Sequence, residues 1–456
     1  MTFNKHICYN FAMETKEIVL TVKGKLVFNP ETESQDKESL QKTAQLFTKA
    51  ANAVSQQAFD SDIKKALSFL ELNDEFYHFI RDDFSMKSQM AQSVSKAVCA
   101  SYKIINEQLK SNPWHYYDKE TKVSYNYARD LSWLTHPVVY HNPFYDAVRN
   151  RDFTLKDDFQ ELSLNTVDGR INCQVVFQKY FKKRYLFNKE ETWRLGGAKV
   201  FERNGEWKFH LSIKRKVEVP SQGEFSEIVG ADRGIRFPVT LFDGKKTSFP
   251  MRGDDLQAKR DNYTRVRAEL QSRGTKSAKR RLKKLSGRES RWMNDVNHRL
   301  SKTLASGSES GTLLTLENLT GVSFSVRYSA KRNRDTRSWT FYDLETKMDY
   351  KMPLKGSDTV KVSPTYTSQK CPRCGHTEAK NRDHEKHLFE CCNCGLKSND
   401  DRIGAINIRY LGMLYNKGVK EPKLAKHNNP KFTEPAKVTG ISETPEPMDD
   451  ISDILI

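Results

Sequence analysis

Apolar and polar residues alternate or recur at helical spacing in separate stretches of the chain. Residues 16–28 alternate and are rich in β-branched residues, which predicts a strand ending at Asn29-Pro30. Residues 34–110 carry apolar positions at helical spacing with few prolines or glycines, which predicts amphipathic helices. An aromatic-rich connector over 114–145 precedes β-like segments, in which Asn204-Gly205 predicts a hairpin turn.

A second pattern begins near residue 227. Residues 227–251 predict two strands with a further turn at Asp243-Gly244, and an apolar strand then ends at Glu317. Residues 357–364 predict another strand, and residues 403–415 predict a final helix. The order of elements predicts a multidomain α/β protein.

Two Cys-x-x-Cys pairs are separated by sixteen residues: Cys371 and Cys374, then Cys391 and Cys394. This spacing predicts a tetrahedral four-cysteine zinc ribbon, rather than disulfides or free buried thiols. Neither a signal peptide nor an apolar run of about 18 residues is evident, so we expect a cytoplasmic, reducing setting. Alternation directs the side chain of Cys392 away from its neighbours, so it is predicted to be a bystander.

The net charge of +18 and the pI near 9.3 favour a nucleic-acid-binding protein over one whose solvated surface merely happens to be basic. Fifteen Lys and Arg against four Asp and Glu give residues 259–303 a local charge of +11. Apolar positions at helical spacing predict one or two long basic helices there. The candidate phosphate contacts are Arg280, Arg281, Lys283 and Lys284.

Three acids stand at element ends: Asp232 and Glu317 close apolar strands, and Asp401 opens the last helix. Each has an ordinary alternative, as a turn residue, a solvated strand end and a helix N-cap respectively. Together they predict an RNase H-like arrangement, in which carboxylates from adjacent strands and a facing helix hold two Mg²⁺ for phosphodiester cleavage.

The motifs GADRG, TLENL, SPTYTSQKCPRCG, FECCNCGL and DRIGAINI occur in the order found in the TnpB nucleases. The chain therefore resembles TnpB proteins and their relatives, the miniature type V CRISPR effectors, most closely over residues 230–411. The resemblance implies a RuvC-like site formed by Asp232, Glu317 and Asp401. The third motif departs from the family's Arg-Asp-x-Asn-Ala-Ala pattern, so Asp400 competes with Asp401 for the third position.

The resemblance implies an RNA-guided DNA endonuclease. Its expected partners are a guide RNA and duplex target DNA with a short flanking motif, and it would act as a monomer or an asymmetric homodimer. Its expected cofactors are two Mg²⁺ and one structural Zn²⁺. A non-cleaving RNA-guided repressor and a guide-free DNA-binding regulator are the alternatives.

The implied fold is an RNase H-like (RuvC) core split by a basic helical insert and a zinc ribbon, plus a β-barrel wedge domain with an inserted helical recognition lobe. The expected boundaries are 1–33 and 138–224 for the wedge, 34–137 for the recognition lobe, 225–366 and 398–425 for the nuclease domain with basic helices at 254–305, 367–397 for the ribbon, and 426–456 for a disordered acidic tail.

Overall fold

The structure, a computed structural model, describes residues 12–118, 120–121, 123–156, 159–186, 193–234, 236–319, 341–383 and 386–426. These residues divide into two compact units, one within 17–216 and the other formed by the remainder. Apart from its first residue, the predicted tail 426–456 lies outside the described residues, as does Cys8. No helix of the described part is both long and apolar enough to cross a membrane.

Three long helices of the first unit confirm the helical stretch expected from the sequence: α1 (Glu33–Ser61), α2 (Phe69–Asp83) and α3 (Ser88–Ser111). One stripe of α1 is fully buried at helical spacing, at Leu40, Ala44, Phe47, Ala51 and Val54. The Ser68 hydroxyl caps α2 by accepting a hydrogen bond from the Glu71 amide at 3.4 Å.

A seven-stranded sheet of the same unit curls into a near-closed β-barrel. Its strands are β1 (Met13–Phe28), β4 (Phe144–Ala147), β5 (Phe153–Leu155), β6 (Glu161–Thr166), β7 (Gly169–Phe177), β8 (Arg194–Arg203) and β9 (Glu206–Pro220), in the order β4-β8-β9-β1-β7-β6-β5. The short helix α4 (Lys179–Phe181) and a π-helical turn (Lys182–Leu186) follow β7. Pairing of Arg203 with Glu206 confirms the Asn204-Gly205 hairpin turn.

The aromatic connector contains a hairpin that the sequence pattern did not predict, formed by β2 (Trp114–Tyr117) and β3 (Ser124–Tyr127). The rings of Tyr116 and Tyr125 stack across the strands with centroids 6.4 Å apart. These cross-strand ring contacts stabilise a hairpin that has only two strands.

The second unit contains a five-stranded sheet with three parallel strands at one side. Its strands are β10 (Glu227–Asp232), β11 (Thr240–Phe242), β12 (Thr247–Ser248), β13 (Thr312–Glu317) and β14 (Asp358–Val362), in the order β12-β11-β10-β13-β14. Every residue of β13 is buried, as expected for a strand covered on both faces.

Three basic helices follow this sheet's first strands, where the sequence predicted one or two: α5 (Asp254–Arg273), α6 (Lys276–Leu285) and α7 (Arg288–Gly307). The breaks fall at Gly274 and Gly287, whose φ angles of +63° and +73° interrupt a right-handed helix. Leu300 and Leu304 of α7 pack with Met348 of α8 (Phe341–Lys351) in the core beside β10 and β13.

The last helix, α9 (Asp400–Asn416), follows a small three-stranded sheet within the ribbon segment. That sheet consists of β15 (Arg382–Asp383), β16 (Leu388–Glu390) and β17 (Lys397–Asn399). Short 3₁₀ turns lie at Ile63–Leu67, Leu131–Trp133, Pro353–Lys355 and Ala379–Asn381. The protein is thus a mixed α/β structure with a near-closed barrel and a four-cysteine ribbon.

Candidate functional site: an acidic centre beside a four-cysteine ribbon

Two of the predicted acids end neighbouring parallel strands. Asp232 is the last residue of β10 and Glu317 the last of β13, and the register pairs Ala231 with Leu316 immediately before them. Because parallel strands end at the same edge of a sheet, the two carboxylates belong to one edge. Glu317 is buried, while Asp232 keeps part of its surface open to solvent.

Helix α9 brings the third acid, Asp401, to this edge through a very close approach to β10. A Cβ atom on Gly230 would lie 2.0 Å from the carbonyl oxygen of Ala405, so only glycine fits there. On the helix side, a Cβ atom on Gly404 would lie 2.5 Å from Oδ2 of Asp232. Strand and helix are therefore in backbone contact, and the first turn of α9 faces the strand end.

Burial is the largest cause that raises the pKa of each of the three acids at this edge. Burial raises the pKa of Asp232 well above its ordinary value, and the charges of Glu317, Asp401 and Asp400 raise it further. Burial also raises the pKa of Glu317, against hydrogen bonding from Thr367. Burial and the charge of Asp400 raise the pKa of Asp401 to about 6. The ionised form of each carboxyl group is therefore disfavoured in the protein alone, although Arg382 acts in the opposite direction on all three.

Asp400 and Asp401 differ sharply in their surroundings. Asp400 is fully buried, and its Oδ2 accepts a hydrogen bond from Nε of Arg382 at 2.8 Å. Asp401 is 7% exposed, and its Oδ2 has no hydrogen-bond partner among the described residues. Asn399, rather than Asp401, caps the helix by accepting from the Arg402 amide. The lone pairs free for a ligand therefore belong to Asp401.

Residues that the sequence analysis did not single out hold the acids in place. The Thr367 hydroxyl donates to Oε1 of Glu317, and the Asn407 side chain donates to the Thr367 carbonyl at 2.7 Å. Buried Arg233 donates to the Glu317 carbonyl and pairs with Glu345 at 3.0 Å. The motifs that contain Thr367, Asn407 and Arg233 were the available signal, but their partners are not evident from sequence spacing.

The four predicted zinc ligands converge in one cluster. Their sulfur atoms all lie within 4.8 Å of one another, with Cys371 and Cys394 at 3.6 Å and Cys374 and Cys391 at 3.5 Å. In each Cys-x-x-Cys turn a glycine amide, that of Gly375 or Gly395, donates to the first cysteine's carbonyl at 2.9 Å. Four convergent thiols of this kind suit one structural zinc ion.

Four basic residues of α6 form an exposed group on the second unit: Arg280, Arg281, Lys283 and Lys284. They have no carboxylate partner among the residues that the structure describes. By contrast, Arg273 of α5 pairs with Glu269 at 2.6 Å, and Arg299 of α7 pairs with Asp295 at 3.1 Å. The unpaired positive charge therefore concentrates on α6.

Two family models match parts of the chain. Residues 341–408 match the Cas12f1-like TNB domain, and residues 211–316 match a model described as a probable transposase. The first match contains the four-cysteine cluster, and the second ends one residue before Glu317.

Curated relatives match at low identity. The CRISPR-associated endodeoxyribonuclease Cas12f1 of Sulfoacidibacillus thermotolerans is 24% identical over 231 residues, which are 47% of this chain and 53% of that protein. The putative RNA-guided DNA endonuclease InsQ of Escherichia coli K12 is 26% identical over 260 residues, which are 53% of this chain and 62% of that protein. The matches thus cover less than two thirds of each of these relatives.

Among solved structures, a Cas12f1–sgRNA–target DNA complex aligns with a TM-score of 0.49 and 13% identity, over 87% of this chain and 99% of that one.

Proposed function

Since the chain belongs to the family of TnpB and Cas12f proteins, we propose that it is an RNA-guided DNA endonuclease. In this proposal a guide RNA pairs with the target strand, and the protein recognises a short flanking motif in the duplex. Phosphodiester cleavage takes place at the RuvC-like centre formed by Asp232, Glu317 and Asp401. The matched relatives named as endonucleases support this assignment.

The observation that carries the proposal is the convergence of buried and partly buried carboxyl groups whose ionised form the protein alone disfavours. Asp401 presents an unpartnered, buried carboxylate oxygen, and the pKa values of all three acids are raised. A divalent cation would stabilise that ionised form, and Mg²⁺ prefers carboxylate oxygens.

The residues around the centre have separate roles in this proposal. Asp232, Glu317 and Asp401 would hold two Mg²⁺, which supply Lewis-acid stabilisation of the attacking and leaving oxygens when bound. Thr367 orients the Glu317 carboxylate through its hydroxyl, and Arg382 keeps Asp400 engaged away from the ligand set. The exposed arginine and lysine side chains of α6 would contact nucleic-acid phosphates without distinguishing one nucleotide sequence from another.

The decisive test combines purified protein with a matched guide RNA, a duplex target and Mg²⁺. Wild type should cut, whereas Asp232→Asn, Glu317→Gln and Asp401→Asn should bind the guided target nearly as well and cut at least ~100-fold more slowly. Glu390→Gln, which changes an exposed acid of β16, is the matched control and should cut at the wild-type rate.

The other possible outcomes would support a different function or a different set of metal ligands. Guided binding without any cutting by wild type would support the non-cleaving repressor. DNA binding that does not depend on RNA would support the guide-free regulator. Cutting by Asp401→Asn would remove this residue from the proposed ligand set.

A further inference from the structure

Cys392 follows the zinc ligand Cys391, but its side chain points away from the four-cysteine cluster. Its Sγ atom lies 3.2 Å from Nε2 of His376 and 3.1 Å from Oε2 of Glu378. The same His376 nitrogen and Glu378 oxygen are 3.3 Å apart. A sulfur, a nitrogen and a carboxylate oxygen therefore form a compact triangle on the surface of the ribbon.

Hydrogen bonding leaves one of the short contacts of the Cys392 sulfur without a proton. The Cys392 sulfur contacts three polar atoms at nearly equal distance, the third being Oδ1 of Asn381 at 3.1 Å. The thiol proton is donated to one of the two oxygens, and the His376 Nε2–H can donate to the sulfur. The contact between the sulfur and the other oxygen then has no proton between the two atoms, and it is short for such a pair. A cation at the centre would bind the same atoms at once.

The edge lengths fit a tetrahedral transition-metal ion. With Zn–S near ~2.3 Å and Zn–N or Zn–O near ~2.0–2.1 Å, tetrahedral angles place sulfur about 3.5 Å from the other ligands, and nitrogen about 3.3 Å from oxygen. The observed 3.1–3.3 Å is within a few tenths of an ångström of these values. Thiolate, imidazole and carboxylate are each ligands that zinc takes in proteins.

The backbone holds these groups in place before any ion arrives. The His376 carbonyl accepts from the Cys371 amide at 2.8 Å, which fixes it to the first cysteine turn. The Cys392 amide donates to Oδ1 of Asn381 at 3.1 Å, and Asn381 is anchored by donating to the Gln369 carbonyl at 3.0 Å. The backbone of His376 and Cys392 is therefore already fixed, which reduces the chain entropy lost when the ion binds.

We propose that His376, Glu378 and Cys392 form a second zinc-class metal site on the ribbon, distinct from the four-cysteine site. Binding releases the Cys392 thiol proton to solvent, and the thiolate and carboxylate balance the charge of the divalent ion. All three side chains are at least partly exposed, so the fourth position is open to water. The ion joins the loop after the first cysteine pair to the second pair.

Zinc titration of the full-length, reduced protein tests this proposal without any nucleic acid. Zn²⁺ alone is the probe, and bound metal is measured by elemental analysis after gel filtration. Wild type should bind one equivalent more than Cys392→Ser, His376→Ala or Glu378→Gln. The extra equivalent should be released first by a chelator, because the site is open. Glu390→Gln on β16 of the same ribbon is the control and should match wild type.

Cobalt gives a second readout that a loss of fold does not mimic. Co²⁺-substituted Cys392→Ser should keep the absorption of the four-thiolate site and lose only the weaker contribution of the single-thiolate site. Equal metal content in wild type and Cys392→Ser would overturn the proposal, and so would saturation of wild type at one equivalent. Both measurements report metal content, so the result of the cleavage test does not affect them.

Discussion

Replacing Asp401 by Asn should stabilise the protein in the absence of Mg²⁺, although it removes a residue of the proposed catalytic centre. Burial and the charge of Asp400 raise the pKa of Asp401 from 3.8 to about 6. When the pKa of a group differs by one between the folded and unfolded states, the free energy of unfolding changes by about 1.4 kcal/mol. The ionised carboxylate of Asp401 therefore lowers the free energy of unfolding by about 3 kcal/mol at pH 8.

The effect has a defined pH course. Below about pH 4 the carboxyl group of Asp401 is protonated in both states and has no influence on stability. As the pH rises from about 4 to 6, the unfolded chain ionises first, so the penalty grows, and above about pH 6 it is complete. Asn is neutral throughout and escapes this penalty. At pH 8 the melting temperature of Asp401→Asn should exceed that of wild type by roughly 6–12 °C, at about 2–4 °C per kcal/mol.

The neighbouring Asp400→Asn removes both the pair with Arg382 and the negative charge that helps to raise the pKa of Asp401, so its melting temperature should stay below that of Asp401→Asn. Asp400 is fully buried but the Arg382 side chain is 22% exposed, so loss of this pair should destabilise the protein by less than the about 3–5 kcal/mol typical of a fully buried pair. Calorimetry of the zinc-loaded protein without Mg²⁺, between pH 4.5 and 8, measures both variants. Added Mg²⁺ should then stabilise wild type and not Asp401→Asn. A melting temperature of Asp401→Asn at or below that of wild type over this whole range would refute the electrostatic argument.

Three further changes test other parts of the second unit. Gly230→Ala should lower the free energy of unfolding by about 1–3 kcal/mol or more in a thermal melt, because the added Cβ would lie 2.0 Å from the Ala405 carbonyl oxygen. Gly307→Ala is the control and should leave stability unchanged, because the added Cβ has no atom within 4 Å. Cys391→Ser should release about one zinc per chain and loosen residues 367–400, as measured by metal analysis and limited proteolysis. Neutralising both Lys283 and Lys284 should reduce the log–log salt slope of nucleic-acid binding by nearly two units in a filter-binding titration, and an unchanged slope would place the nucleic acid elsewhere.

Local patterns in the sequence were sufficient for elements with a strong short-range signal. The Asn204-Gly205 turn was predicted in this way, as was the convergence of the four cysteines, because spacing of a few residues fixes both. The ends of β10 and β13 were predicted as well, since each apolar run stops at its acid.

Contacts between distant segments could not be predicted. Whether Asp400 or Asp401 is free depends on Arg382, which reaches Asp400 only after the small ribbon sheet has folded against the start of α9. The division of the basic segment into three helices depends on two glycines adopting positive φ, which composition does not reveal. The β2–β3 hairpin was missed because its aromatic residues were interpreted as a connector, although they pair across the strands.

The acidic centre is assembled from segments that are far apart in the chain, and this sets a delay during protein synthesis. Asp232 and Asp401 are 169 positions apart, so at about 5–20 residues per second the second follows the first by roughly 8–34 s. Until α9 has left the ribosome, Gly230 has no helix to contact and β10 carries its acid without the third one. A nascent chain therefore cannot acquire the complete centre before nearly all of the described fold has been translated.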